Sequence, residues 1–286
     1  MLGSHKLSYG FLLTLKFKTK KRSTMSETLY VVKIGGNVID NPEASSRFLM
    51  DFAKLPAPKI LVHGGGKVAT QVAAKLQIET QMVEGRRITD KHMLDVVTMV
   101  YGGLVNKNLV AQLQSLTCNA IGLTGADGGI IRSVKRPVKT IDYGFVGDIE
   151  EVNGNQINAL LNSNLVPVIA PLTYSSEGLL LNTNADTMAS ATAVAMAKSY
   201  EVNLIYCFEK KGVLSDPEDD TAVIASLIPQ TYLEYKESGV INKGMIPKLD
   251  SSFDALNDGV KKVTICHAED LIQAASGVAG TQITLK

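Results

Sequence analysis

The 286-residue chain has no tryptophan, only three cysteines and no apolar run long enough to cross a bilayer. A spanning helix needs about 20 largely apolar residues, so a helical membrane anchor is not expected. Phe11-Leu12-Leu13-Thr14-Leu15 is too short for a signal-peptide core and lacks a small-residue cleavage site after it. Cys118, Cys207 and Cys266 are odd in number, far apart and without C-x-x-C spacing. That pattern argues against a disulfide framework and a zinc site, and for a reducing compartment, the cytoplasm. All three cysteines are expected to pack in the core. Two phosphate-binding fingerprints are also missing: neither GxxxxGK[ST] nor GxGxxG occurs. The sharpest support for a Walker-type or dinucleotide-binding protein goes with them.

Charge is nearly balanced, at a formal +1, but unevenly spread. Six of the 29 basic residues lie in the first 24 positions (Lys6, Lys16, Lys18, Lys20, Lys21, Arg22), and none of the 28 acidic ones does. The leader, 1–24, is either disordered extra sequence or a targeting or nucleic-acid arm, and Met25 offers a natural start behind it. The remaining body is mildly acidic and gives no reason to expect nucleic acid as a partner.

Tyr30 to Ile34 reads as a β-branched strand closed by Gly35-Gly36, and Lys59 to His63 as a second closed by Gly64-Gly65-Gly66. Helices are expected after Asn41-Pro42-Glu43, with proline early and an acidic first turn, and over Lys67 to Leu76, with Val68, Val72 and Leu76 on one stripe. Strand, glycine turn and helix in repetition indicate an α/β fold around a parallel sheet. Asp90 to Leu116 is a long helical region broken near Gly102-Gly103. Ile131 to Glu151 suggests small strands laid over the sheet, and Pro167 implies an irregular or edge-like place for the strand at 165–170. A lobe boundary is expected near residues 172–184, dividing 25–180 from 181–286.

Polar side chains gather at the ends of these elements. Lys33 either snorkels or, with Gly35 and Gly36 freeing backbone N–H groups, faces an anion. Two such turns after adjacent strands favour the anion, because α/β sheets bind ligands at the carboxyl ends of their strands. Asn182, Asn184 and Asp186 alternate ahead of a small-residue helix, which points them the same way. Phosphoryl transfer needs several positive groups around the moving phosphoryl, and Lys33, Lys248 and Arg87 can supply them. Arg87 can also clamp a carboxylate in a bidentate fork.

From Leu29 onward the chain resembles the amino acid kinase family, within it the branch that phosphorylates N-acylated glutamate. The stretches that carry the resemblance are Val32-Lys33-Ile34-Gly35-Gly36, Val62-His63-Gly64-Gly65-Gly66, Gly85-Arg86-Arg87-Ile88-Thr89-Asp90 and Val146-Gly147. Val166-Pro167-Val168-Ile169-Ala170-Pro171, Leu181-Asn182-Thr183-Asn184-Ala185-Asp186 and Gly244-Met245-Ile246-Pro247-Lys248 complete the set.

The resemblance implies a three-layer αβα sandwich with a mainly parallel sheet, and ATP-dependent phosphorylation of the γ-carboxylate of N-acetyl-L-glutamate in arginine biosynthesis. By the same resemblance Lys33 and Lys248 stabilise the transferring phosphoryl group, and Asp186 organises them without acting as a base. Gly35, Gly36 and Gly65 give backbone N–H groups to phosphoryl oxygens. Gly65, Gly66 and Arg87 of the N-terminal lobe, which also dimerises, bind the acylated amino acid together with Asn182 and Asn184. Glu209, Lys210, Gly212 and Lys248 line an ATP site in the C-terminal lobe, and Mg²⁺ arrives with the nucleotide, with no metal site built from protein side chains.

Phe208-Glu209-Lys210-Lys211-Gly212 departs from the family's Thr/Ser-Asp-Val-x-Gly turn, which leaves the nucleotide contacts open. N-succinyl-L-glutamate is an alternative acceptor, its longer acyl group meeting Lys91 or Arg86; a non-catalytic regulatory member is a remote one. The leader does not resemble the ring-forming helix of arginine-inhibited hexameric relatives. A homodimer insensitive to arginine is therefore expected, joined through residues 91–116.

Overall fold

The computed structural model describes residues 27–286 except 57, 84, 217, 242 and 243. The leader and Met25 lie outside the described residues. An eight-stranded sheet forms the middle layer, in the order Ser226–Leu227, Thr281–Ile283, Lys262–His267, Glu201–Phe208, Thr28–Ile34, Lys59–His63, Val166–Ile169, Ala120–Leu123. Every neighbouring pair is parallel except Thr281–Ile283 against Lys262–His267. The mainly parallel α/β sandwich expected from the sequence is what the chain forms. Strands from before residue 181 fill one half of the sheet and later strands the other. They meet where Thr28–Ile34 pairs with Glu201–Phe208. The chain leaves these two strands in opposite directions across the sheet, so their carboxyl ends flank a crevice.

Alternation along the first strand decides which side each residue serves. Val32 and Ile34 join one apolar cluster with Phe48, Leu49 and Phe52 of the Pro42–Lys54 helix. Leu29 and Val31 join the other, with Met188 of the Ala185–Met196 helix and Leu249 of the Ile246–Asn257 helix. Lys33 shares the parity of Leu29 and Val31, so it rises on the side of those two later helices. His63 shares the parity of Leu61 and falls on the opposite side, beneath the Asn106–Ser115 helix.

Local signals account for several elements. Asn41 caps the Pro42–Lys54 helix, its side-chain oxygen accepting from the amides of Glu43 and Ala44 at 3.1 Å each. Ile131–Lys135 and Gly147–Val152 pair antiparallel within a separate four-stranded sheet, matching the small strands expected there. All three cysteines are buried.

Three expectations need correction. Pro167 sits in an interior strand, not at an edge. Pairing with Lys59–His63 begins only at Leu61↔Val168, so no ladder bond is asked of the proline nitrogen, while Val166 and Ala170 donate to the Asn119 and Leu123 carbonyls on the other side. In the Gly66–Lys75 helix Ala69 and Ala73 are buried and Val68 and Val72 pack half-buried against the core, but Leu76, expected on the same stripe, is exposed. The region 91–115 is not broken at its glycines. It runs as Lys91–Val97, a π-helical segment Thr98–Val105 that contains Gly102-Gly103, and Asn106–Ser115.

Candidate active site

Asp186 stands in the first turn of the Ala185–Met196 helix and holds two lysines at once. Its Oδ1 lies 2.8 Å from Lys33 Nζ, and its Oδ2 accepts a hydrogen bond from Lys248 Nζ at 2.8 Å. Lys33 comes from the carboxyl end of the central strand and Lys248 from the first turn of the Ile246–Asn257 helix. Burial alone would push the Asp186 carboxyl up, but the charges of Lys33 and then Lys248, with their hydrogen bonds, hold it below the usual carboxylate value. The group is therefore an anion at neutral pH and unsuited to taking up a proton. Lys33 is almost covered, at 8% side-chain exposure, whereas Lys248 is at 33%. The pair thus opens in one direction, toward solvent at the crevice.

The two glycine turns face each other beside this cluster. Gly35 N–H donates to the Cys207 carbonyl at 3.2 Å, and Gly64 N–H to the Ile34 carbonyl at 3.1 Å. A Cβ added to Gly36 would sit 3.7 Å from both the Gly65 and Gly66 nitrogens, so the absence of a side chain leaves those N–H groups open. They start the Gly66–Lys75 helix, which has no side-chain cap. Uncapped first-turn amides suit an anion. Gly65 has φ +152°, and a Cβ there would lie 3.1 Å from the Tyr101 ring, so only glycine fits.

Below the turns lies a pocket bounded by Gly65, Gly66, Arg87, Tyr101, Asn182 and Asn184. The buried Arg87 guanidinium donates to the Gly66 carbonyl and Thr70 Oγ1 at 2.9 Å each, and to Thr80 Oγ1 at 3.2 Å. These partners are neutral; no carboxylate pairs with Arg87 among the described residues. Its charge is held in place yet uncompensated, as a site for an anionic ligand requires. Asn182 Nδ2 donates to Thr89 Oγ1 at 2.9 Å. Arg136, also on the pocket wall, is already engaged by Asp148 through Nε at 3.0 and 3.2 Å.

A profile of the Amino acid kinase family matches residues 28–267. The chain belongs to the amino acid kinase family. It is 60% identical over 248 residues to the acetylglutamate kinase of Cytophaga hutchinsonii, covering 86% of this chain and 94% of that relative. It is 38% identical over 247 residues to the acetylglutamate kinase of Methanopyrus kandleri, covering 85% and 96%. Among solved structures, smu.665 from Streptococcus mutans UA159 superposes with a TM-score of 0.72 at 29% identity, covering 91% of this chain and 99% of that one. An N-acetylglutamate synthase from Neisseria gonorrhoeae, complexed with coenzyme A and N-acetyl-glutamate, gives 0.75 at 21% identity over 92% and 60%, which shows the shared fold.

Within this member of the family the structure brings Lys33, Lys248 and Asp186 together, and it brings Arg87 and Asn182 to the pocket beside Gly65 and Gly66. The common direction expected for Asn182, Asn184 and Asp186 does not hold. Alternation ends at Asn182, the last residue of its strand, because the chain turns into a helix at Ala185. Asn184 lines the pocket, but its side-chain oxygen serves as the helix cap, accepting from the amides of Asp186 and Thr187 at 2.8 and 3.1 Å. Glu209 and Lys210 are exposed, and Lys210 pairs with Asp220 at 2.7 Å. Gly212 is buried where a Cβ would meet Thr281 Oγ1 at 2.7 Å and Val223 Cγ1 at 2.8 Å, a packing constraint.

Sequence reasoning passed over several neighbours. Tyr101 packs on Gly65, Thr70 and Thr80 hold Arg87, and Tyr206 donates to the Asp186 carbonyl at 3.3 Å. Burial and then the Asp186 charge push the Tyr206 hydroxyl up, so it stays a donor. Phe208 lies against both lysines. Its place at the carboxyl end of a strand bordering the central one was the available signal.

Proposed function

We propose that this chain transfers the γ-phosphoryl group of ATP to the γ-carboxylate of N-acetyl-L-glutamate, giving the acyl phosphate N-acetyl-L-glutamyl 5-phosphate, as a cytoplasmic enzyme of arginine biosynthesis. The observation that carries the reading is Asp186 holding Lys33 and Lys248 beside two open glycine turns, with an uncompensated arginine in the adjoining pocket. The names of its 60% and 38% identical relatives support it from outside.

In this reading the acceptor's α-carboxylate meets Arg87, replacing the threonine hydroxyls with a charged partner, and its amide meets Asn182. That leaves the γ-carboxylate near Gly65 and Gly66, where it is already an anion and a nucleophile at neutral pH and needs no general base. Phosphoryl transfer spreads charge over the equatorial oxygens as the bond to the leaving oxygen lengthens. The Gly36, Gly65 and Gly66 amides and the Lys33 ammonium meet that charge from the acceptor side, and Lys248 meets it from the nucleotide side. Asp186 holds the two ammonium groups together, one on each oxygen, and their charges keep its carboxyl below the usual carboxylate value, so it is a poor base.

ATP is assigned to the C-terminal half, residues 181–286, near Glu209, Lys210 and Gly212, and the acyl amino acid to residues 25–180 with Asn182 completing its pocket. No cluster of three or more His, Cys, Asp or Glu suited to a metal occurs among the described residues. The donor set of ammonium and amide groups fits a Mg²⁺ carried by the nucleotide's own phosphates, where it would offset their charge. A homodimer is supported by Met99 and Leu104, which are 55% and 50% exposed on the 91–115 helical region while Met93, Leu94, Val96, Val97 and Val100 are buried in the protomer.

One observation bears on the acyl group. Arg86 lines the pocket and has no ion pair among the described residues, so a second carboxylate on a succinyl group would find a cation there. Trapping the acyl phosphate with hydroxylamine, for N-acetyl- and N-succinyl-L-glutamate side by side, tests both points. No hydroxamate from either acceptor overturns the reading, and a higher kcat/KM for the succinyl compound reassigns the acceptor.

A further inference from the structure

Phe208 ends the strand beside Lys33, and its ring faces both lysines of the site: Lys33 Nζ and Lys248 Nζ each lie 4.7 Å from its centroid. The same ammonium groups share one carboxylate, Asp186. Two cations against one anion leave an uncompensated positive charge and a mutual repulsion that favours their separation. A second carboxylate would hold them, but it would cancel the charge and repel an incoming phosphate. An aromatic face attracts cations through its quadrupole and carries no net charge. The ring is itself fixed, stacked on Tyr206 at 6.2 Å and 18°, and Tyr206 in turn donates to the Asp186 carbonyl. A Cβ on Gly35 would touch Lys33 Nζ and Phe208 Cδ1 at 3.9 Å each, so turn, lysine and ring form one packed unit.

We propose that Phe208 is a positioning residue for phosphoryl transfer: its ring face seats Lys33 and Lys248 side by side without reducing their charge. This rests on the phosphoryl-transfer reading given above. An aliphatic residue of similar bulk would fill the space and lose the seat. A ring fluorinated step by step keeps the bulk and weakens the face.

The test incorporates mono-, di- and trifluorophenylalanine at position 208, alongside Phe208→Tyr and Phe208→Leu. Log kcat should fall in step with fluorine number, by about tenfold at the trifluoro ring, with the KM for N-acylglutamate and the Tm unchanged. Phe208→Tyr should keep its activity and Phe208→Leu should lose about tenfold or more. Constant kcat across the fluorinated series overturns the proposal, and that nearly isosteric series decides alone if Phe208→Leu fails to fold. Should the native chain make no acyl phosphate, it is the proposed function that falls. The same series is then read by MgATP binding, where Kd should rise with fluorine number and a constant Kd overturns the seat.

Discussion

His63 and Asn106 are 43 positions apart in sequence and share a fully buried contact, Asn106 Nδ2 to His63 Nε2 at 3.0 Å. On the other side of the ring, Nδ1 lies 2.7 Å from the Gly64 carbonyl. The tautomer that satisfies both is neutral, with Nδ1 donating and Nε2 accepting. Burial pushes the His63 pKa down to about 4, against the Gly64 hydrogen bond, which raises it, and with the Lys107 charge adding to the fall. Between the unfolded value near 6.5 and the folded value near 4, the unfolded chain binds a proton that the folded chain does not. Stability therefore rises with pH across that window and is lost as pH falls through it. The loss amounts to about 3 kcal/mol. Denaturant unfolding from pH 7 to pH 4 should show this slope, and His63→Asn should remove most of it; an unchanged slope would clear His63.

Removing either lysine should damage chemistry more than folding. Lys33→Ala or Lys248→Ala is expected to lower kcat at least about 10²-fold, because each meets charge that grows in the transition state. Asp186→Asn should also slow the reaction by misplacing both lysines. Its pH–rate profile should keep the native shape around neutrality, since the native carboxyl ionises below the usual carboxylate range. Loss in that variant of an ionisation that the native profile shows near pH 7 would make Asp186 a base after all.

The acceptor pocket separates binding from chemistry. Arg87→Lys should raise the KM for N-acylglutamate far more than that for ATP, because a point charge cannot reproduce the fork that now reaches Gly66, Thr70 and Thr80. Asn182→Ala should show the same bias more weakly, as a neutral amide contact is worth less. Equal damage to both constants would move these residues out of the acceptor pocket.

Gly36→Ala offers a cleaner probe of the cradle than Gly65→Ala. The added methyl would sit 3.7 Å from the Gly65 and Gly66 nitrogens, in ordinary contact and without a positive φ to strain. The fold should survive with little change in Tm, while kcat drops by about tenfold or more as the methyl shields the phosphoryl-binding amides. Native turnover in this variant would place the phosphate elsewhere.

Light scattering should find a homodimer, and Met99→Asp or Leu104→Asp should convert it to monomer, since burying an unpaired charge at an interface costs several kcal/mol. Native-like dimers from both variants would put the interface elsewhere. Millimolar arginine should leave the activity of the native protein unchanged.

The sheet was legible because Tyr30 to Ile34 and Lys59 to His63 carry β-branched runs closed by glycines, a pattern local in sequence. Lys33 and Asp186 stood out for a similar reason, each marking the edge of an element. What was not legible depended on contacts distant in the chain. The place of Phe208 at a strand's carboxyl end hints at the site, but not that its ring will meet a lysine 175 positions earlier and another 40 later. The alternation that grouped Asn184 with Asp186 failed because a cap residue turns its side chain back onto its own helix. Of the expected stripe Val68, Val72 and Leu76, the two valines pack against the core and Leu76 is exposed, because the helix ends at Lys75.

The π-helical segment at Thr98–Val105 has a consequence for how this protein tolerates change in length. In an α-helix, residues five apart point about 140° away from each other. A π turn closes hydrogen bonds between such residues instead, and here the Asn106 amide reaches the Tyr101 carbonyl. Tyr101 and Asn106 can therefore grip neighbouring links of one chain segment, Tyr101 against Gly65 and Asn106 against His63. Excising one residue between them would rewind the turn to α geometry and leave Tyr101 and Asn106 four apart, about 40° round the helix, so both grips would stay on one face. A one-residue deletion is thus one the π segment can absorb, whereas the same deletion in the Asn106–Ser115 helix would turn every later side chain by about 100°.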